Sequence, residues 1–228
     1  MQNRILEPGK LPEVPNWFPG ARLNYAENLL YRKDDGIALT EAGECGVITH
    51  ITFRELNERV RVMASALRVN GLQVGDRVAG KSPSGIEDPT EFLNFCRPAI
   101  VTNAANAVVI ALATASIGGI FSSTATDMGT QVGIIPHIIL KETHPQNQGV
   151  LDRYRQIQPK FVFAETEVFY AGKAVDLLPK VDEVVRDLAT QGLQRAILLP
   201  SRISGRETHI SDMSKRYAIL NYFRMCFI

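Results

Sequence analysis

The sequence predicts an α/β protein built on a partial, mostly parallel sheet, and three observations carry that expectation. Short apolar runs alternate with helical patterns along the chain, the rhythm of strand–helix–strand units. A capping box at Thr52-Phe-Arg-Glu55 opens the most regular helical pattern, so at least one helix is bounded by local chemistry. The third is an uncharged run from Pro98 to Thr126, and a helix without charge on any side belongs in an interior.

Bulk properties narrow the class. The chain has 228 residues, 45% of them hydrophobic and 21% charged, with a net charge of +1, ordinary values for a globular protein. That balance gives no pull toward nucleic acid or an anionic membrane surface. Cys45, Cys96 and Cys226 are odd in number and far apart, so neither a disulfide framework nor a zinc pattern is visible. The first ten residues lack the apolar core of a signal peptide, and a cytoplasmic location is expected.

From the N-terminus, the proline-rich segment Pro12–Gly20, with Trp17, is expected to be extended and turn-like. Arg22–Arg32 reads as a short helix with Leu23, Ala26, Leu29 and Leu30 on one face. Ile37–Thr40 and Val47–Ile51 are strand candidates around a turn at Gly43–Gly46. After the capping box, Phe53, Leu56, Val60, Met63, Ala64 and Leu67 recur at helical spacing, and Gly71 sits where a glycine cap belongs. Glu55 and Arg59 are spaced for an i,i+4 ion pair. Asp76–Gly80 follows as a strand.

The central stretch Ala104–Gln131 organises the rest. Its first half is long enough for about three helical turns. Gly118-Gly119 ends that helix, Ile120-Phe121 reads as a short strand, and Ser122–Thr126 as a hydroxyl-rich loop. A bilayer span is the competing reading. Ala and Gly dominate, Asn106, Thr114 and Ser116 interrupt, and no aromatic belt flanks it, so a buried helix is preferred. Further on, Val150–Gln158 is a helix closed by Pro159, and Phe161–Ala164 a strand followed by a loop at Glu165–Lys173. Leu177–Leu188 is a helix with Leu178, Val181, Val185 and Leu188 inward and Pro179 in its first turn. Ala196–Leu199 is the last clear strand.

Three segments depart from this rhythm: residues 81–98, residues 132–148, and an apolar tail at 216–228. The codons possible at Gly80-Lys81, Val132 and Arg216-Tyr217 permit intron donors, and those at Pro98-Ala99 and Gln148 permit acceptor-like endings. Retained introns are therefore one expectation, and surface loops, which cost little entropy, the other. The domain organisation expected is a lead-in at 1–30, an incomplete domain at 31–215 containing the two inserts, and an aberrant tail at 216–228. A sheet cut before its remaining strands predicts open edges and an uncovered apolar helix.

Several blocks carry a resemblance: Trp17-Phe-Pro-Gly-Ala-Arg-Leu-Asn-Tyr-Ala-Glu-Asn-Leu-Leu30, Thr52-Phe-Arg-Glu-Leu56, Gly75-Asp-Arg-Val-Ala79, Ala113-Thr-Ala-Ser-Ile-Gly-Gly-Ile-Phe-Ser-Ser-Thr124, Gly149-Val-Leu-Asp-Arg153 and Gln156-Ile-Gln-Pro-Lys160. They resemble the N-terminal part of the acetoacetyl-CoA synthetase family, acyl-CoA ligases of the adenylate-forming superfamily. The resemblance implies a chemistry of two half-reactions. ATP and a carboxylate form an acyl-adenylate, and the CoA thiol then displaces AMP, with ATP, Mg2+ and CoA required by the full-length family. The implied partners are small molecules, acetoacetate and CoA. An acetyl- or propionyl-CoA synthetase-like gene, mis-spliced or represented by a non-catalytic fragment, is the alternative.

Adenylation needs a loop rich in Ser, Thr and Gly with a lysine to offset phosphate charge. Ser122–Thr126 has the hydroxyls without the glycines or the lysine. Neither G-x-x-x-x-G-K-[ST] nor G-x-G-x-x-G occurs. No catalytic residue and no metal ligand are therefore assigned, and no adenylation is expected of this chain alone. In related synthetases a basic loop touches the CoA phosphates. Tyr170-Ala171-Gly172-Lys173 aligns with it, which implies a contact at Lys173 acting as a point charge, although Tyr170 stands in place of an arginine. His50, His137, His144 and His209 lack metal-spaced partners.

Overall fold

The computed structural model describes residues 5–11, 13–42, 48–82, 104–125, 148–170, 173–199 and 219–221. Its centre is a five-stranded parallel sheet in the order β11-β10-β7-β5-β6. These strands are β5 (Arg77–Ser82), β6 (Ile120–Ala125), β7 (Phe161–Glu165), β10 (Arg195–Leu199) and β11 (Ile219–Asn221). The helices are α1 (Tyr25–Leu29), α2 (Phe53–Val69), α3 (Ala105–Ile117), α4 (Gln148–Ile157) and α5 (Leu178–Ala189). Three antiparallel hairpins complete the description: β1 (Leu6–Leu11) with β2 (Val14–Trp17), β3 (Ile37–Ala42) with β4 (Ile48–Thr52), and β8 (Glu167–Tyr170) with β9 (Lys173–Asp176). The α/β class expected from the alternating pattern is the class observed.

Strand pleating divides the sheet's side chains between two cores. Val78, Phe161, Phe163, Ile197 and Leu199 face α2 and α3. Ala79, Val162, Ala164, Ala196 and Leu198, one residue out of phase, face α4 and α5. Successive side chains of a strand point to opposite faces, so a fully apolar strand feeds both layers. Crossovers between parallel strands are right-handed, which ties the face a helix covers to the direction the chain takes. β5 to β6 runs one way with α3 on one face. β6 to β7 passes back beyond β5, and the chain continues to β10 with α4 and α5 on the other face. The winding reverses between β5 and β7, which pair through Val78↔Phe161 and Ala79↔Val162.

The helix α2 is bounded as its sequence dictates. The Thr52 hydroxyl accepts from the Glu55 amide at 3.2 Å, and the Glu55 carboxylate accepts from the Thr52 amide at 2.9 Å. Leu56, Val60, Met63, Ala64 and Leu67 are buried. The expected Glu55–Arg59 pair does not form because Glu55 turns back into the cap. Glu58–Arg61, at 2.6 Å, takes the exposed ion-pair position instead. Phe53 is only half-buried, its ring covered by the Arg32 guanidinium at 4.1 Å.

The helix α3 has no polar side. Ala105, Val109, Ile110, Leu112, Ala113 and Thr114 are buried and its remaining residues are half-buried. α1 and α2 pack against it, so the expectation of an uncovered apolar helix is wrong: the two preceding helices supply the cover. Gly118, at φ +84°, ends α3 in the left-handed conformation that glycine adopts freely. Asn24 fixes that end from a distance, its side-chain amide donating to the Ala115 carbonyl at 3.0 Å while its Oδ1 accepts from the Glu27 amide at 3.2 Å to cap α1. Only Ala26 of α1 is buried. Of the other residues expected on the same inward face, Leu30 packs against the core, whereas Leu29 and Leu23, which precedes the helix, are exposed.

Ser122 and Ser123 are not in a loop. They continue β6 opposite Ala79 and Gly80, where hydrogen bonding to β5 outweighs their preference for turns. Among the expected inserts and tail, only residues 81, 82, 148 and 219–221 lie within the described set. Ile219–Asn221 lies parallel to β10 as the edge strand β11.

The amino rim of the sheet is stitched by Lys160. Its ammonium donates to the Gly71 carbonyl at 2.7 Å and to Asp76 Oδ2 at 2.6 Å. Its amide donates to the Arg77 carbonyl at 2.8 Å, and its carbonyl accepts from the Gln194 amide at 2.9 Å. Burial pushes the Asp76 carboxyl up, but hydrogen bonds from Lys160 and the Gln73 amide outweigh that and hold it below the usual carboxylate range. On the opposite layer, Arg155 of α4 grips Asp187 of α5 with two hydrogen bonds of 3.0 and 2.5 Å, which holds the Asp187 carboxyl down.

Candidate functional site at the carboxyl rim

Parallel sheets bind ligands outside the carboxyl ends of their strands, at the point where the winding reverses. In this chain that point is the β5/β7 junction. β7 ends there in Glu165, which is buried together with the following Thr166. The hairpin β8–β9 rises directly from that end. Its foot is closed by the Leu177 amide donating to the Thr166 carbonyl at 2.9 Å, and Asp176 Oδ1 accepts from the Leu178 amide at 2.9 Å to start α5. The register pairs Glu167 with Asp176 at the foot and Tyr170 with Lys173 at the tip.

The expected contact segment is thus the tip of a hairpin rather than a free loop. Tyr170 ends β8 and Lys173 begins β9, while Ala171 and Gly172 lie outside the described residues. The loop expected from Glu165 to Lys173 fails because Glu165 still pairs with Leu199 in the main sheet and Glu-Val-Phe-Tyr forms a strand of its own. Val168, Phe169 and Tyr170 are residues that suit a pleated strand, and this was the available signal.

One further carboxylate reaches this rim. Glu41 of β3 accepts from the Ala105 amide at 3.2 Å, at the first turn of α3, where a helix favours negative charge. α3 has no side-chain cap of its own. Neither Glu41 nor Glu165 was legible as a rim residue, since their placement depends on partners 64 and 34 positions away (Ala105 and Leu199). Among the described residues, no group of three or more His, Cys, Asp or Glu could hold a metal ion. His50 meets the Thr40 hydroxyl at 3.0 Å on the β3–β4 hairpin. His137, His144, His209 and the three cysteines lie outside the described residues. Among the described residues no helix is long and apolar enough to cross a membrane.

No family model matches the chain. Individual relatives do. Acetoacetyl-CoA synthetase of Danio rerio is 38% identical over 206 residues, 90% of this chain and 25% of that protein. Acetoacetyl-CoA synthetase of Gallus gallus is 40% identical over 207 residues, with the same coverage. The solved structure of acetoacetyl-CoA synthetase from Streptomyces lividans superposes with a TM-score of 0.69 at 30% identity, covering 99% of this chain and 28% of that one. In sheet and in sequence the chain resembles acyl-CoA synthetases. Within that class it is similar to the acetoacetyl-CoA synthetases, and it spans about a quarter of the length of the curated relatives it matches.

Proposed function

We propose that this chain is the N-terminal portion of an acetoacetate–CoA ligase and supplies the rim on which CoA is held. The observation that carries the reading is the sustained identity to acetoacetyl-CoA synthetases along 90% of the chain. One feature supports a CoA contact: Lys173, a point charge able to meet a phosphate, pairs with Tyr170 at the tip of the hairpin that follows β7. When bound, CoA would supply the thiol that accepts the acyl group. This chain's own part is to hold the carrier's phosphates at Tyr170–Lys173. ATP and Mg2+ belong to the complete ligase, because the sequence contains no adenylating loop. The domain division follows the same reading: a lead-in at 1–30, a partial ligase domain at 31–215 and a tail at 216–228, in a cytoplasmic protein.

Two measurements on the full chain test this. Calorimetric titration with CoA is expected to show binding that Lys173→Gln weakens several-fold and that fades with salt. Pyrophosphate exchange with acetoacetate and ATP is expected to stay at the blank. Absence of CoA binding removes the hairpin assignment, and exchange above the blank removes the claim that adenylation lies elsewhere.

A further inference from the structure

The chain contains a single Asn-Gly step, Asn70-Gly71, at the point where α2 ends and the chain turns toward β5. A main-chain amide nitrogen can attack the side-chain carbonyl carbon of the asparagine before it, and glycine, with no Cβ, hinders that attack least. The structure holds both reacting groups apart. The attacking Gly71 amide donates to the Arg68 carbonyl at 2.9 Å. The Asn70 side-chain amide, which would leave, donates to the Ala66 carbonyl at 2.9 Å. Ring closure needs Cβ and the attacking nitrogen eclipsed about the Cα–C bond of Asn70, and its ψ of 5° keeps them well separated. The Gly71 carbonyl is gripped in turn by Lys160 at 2.7 Å.

We propose that Asn70 is a self-modification site, a deamidation timer that advances only while the last turn of α2 is open. On opening, Gly71 N bonds to Asn70 Cγ, its proton passes to solvent, and the Cγ–Nδ2 bond breaks with release of ammonia. Water then opens the cyclic imide. Attack at Cγ leaves an aspartate, whereas attack at the main-chain carbonyl leaves an isoaspartate, whose backbone runs through Cβ. Both products place a carboxylate at the carboxyl end of α2, where the helix dipole disfavours negative charge, and both lose the donor to Ala66. The isoaspartate also adds a backbone atom between Leu67 and Leu72, two core residues joined by a 2.9 Å bond from the Leu72 amide to the Leu67 carbonyl. Each completed event therefore loosens the turn that had restrained it.

The full chain is aged at mildly alkaline pH, in buffer and in urea above its unfolding midpoint, and its peptides are read by mass spectrometry. Asn28 and Asn57, followed by Leu29 and Glu58, serve as internal standards. In urea Asn70 is expected to convert ahead of both standards, giving aspartate and isoaspartate forms. Folding is expected to slow that conversion about tenfold or more, because the Gly71 amide reacts only from an opened state. Below the unfolding midpoint, deamidation of Asn70 and hydrogen exchange of the Gly71 amide should rise together with urea, since both wait on the same opening. Asn70→Asp, which is the aspartate product made directly, should unfold at lower urea than the wild-type chain. An Asn70 that stays intact in urea overturns the site. Equal rates in folded and unfolded chain, or deamidation that does not follow Gly71 exchange, overturn the gating. An Asn70→Asp chain with an unchanged midpoint overturns the loosening.

Discussion

Helices α2 and α3 lie side by side on the same face of the sheet, yet they are held in opposite ways. α2 carries its own instructions: Thr52 and Glu55 cap each other, its buried residues recur at helical spacing, and its outer surface carries the Glu58–Arg61 pair. α3 carries almost none. Its first amide is satisfied by Glu41, its last turn by Asn24, and its apolar surface by α1 and α2. A helix with a polar side can be closed by nearby residues, but one buried all round has to borrow its ends from elsewhere. The difference matters at the rim, because α3 and β6 together form the half of the sheet beyond β5.

Three substitutions probe that contrast, in descending order of effect. Ile110→Ala opens a cavity where α3 meets the sheet and α2. Ile110 is 1% exposed, so the cost should be about 2–5 kcal/mol in chemical denaturation. A cost no larger than that of trimming an exposed α2 residue such as Arg61 would mean α3 is not the central core helix. Asn24→Ala removes both the α1 cap and the donor to Ala115. It should cost about 1–2 kcal/mol, at or above the roughly 1 kcal/mol expected for Thr52→Ala at the local cap. If Thr52→Ala proves much the more costly, the remote cap contributes little and the contrast collapses.

The smallest effect concerns pH. The Asp76 carboxyl is held below its ordinary value of 3.8. A depressed carboxyl adds stability that is fully present above the unfolded value and is lost as pH falls through the lower folded one. Acid titration of the folded fraction should therefore show a limb below about pH 4 that is shallower in Asp76→Asn. An identical limb in both proteins would show that the Lys160 contact contributes nothing to acid stability.

How far the sequence could be read follows the same division. Wherever a pattern repeats within one element, reading it works: the capping box, the α2 spacing, the apolar run of β7 and the glycine stop at Gly118 all appear where expected. Reading fails where a residue's role is set by another part of the chain. Glu55 had two local partners available, and the backbone won over Arg59. Leu23 and Leu29 have the spacing of a buried face, but Leu23 falls before α1 begins and both are exposed. Ser122 and Ser123 look like loop residues until β5 is beside them. At the site, the position of Lys173 came from resemblance, and the hairpin that presents it could be guessed only from the β-forming run Val168-Phe169-Tyr170. The carboxylates at the rim carry no local signature at all.

The stitching of the amino rim by Lys160 has a consequence for where the chain can change length. Lys160 bonds to the residues that lead into β5 and β10 as well as opening β7, so an added residue on that side would pull three strands out of step. On the opposite side, β7 runs into the hairpin β8–β9, whose length no strand of the main sheet has to match. One lysine thus makes the amino rim the edge that tolerates no change of length.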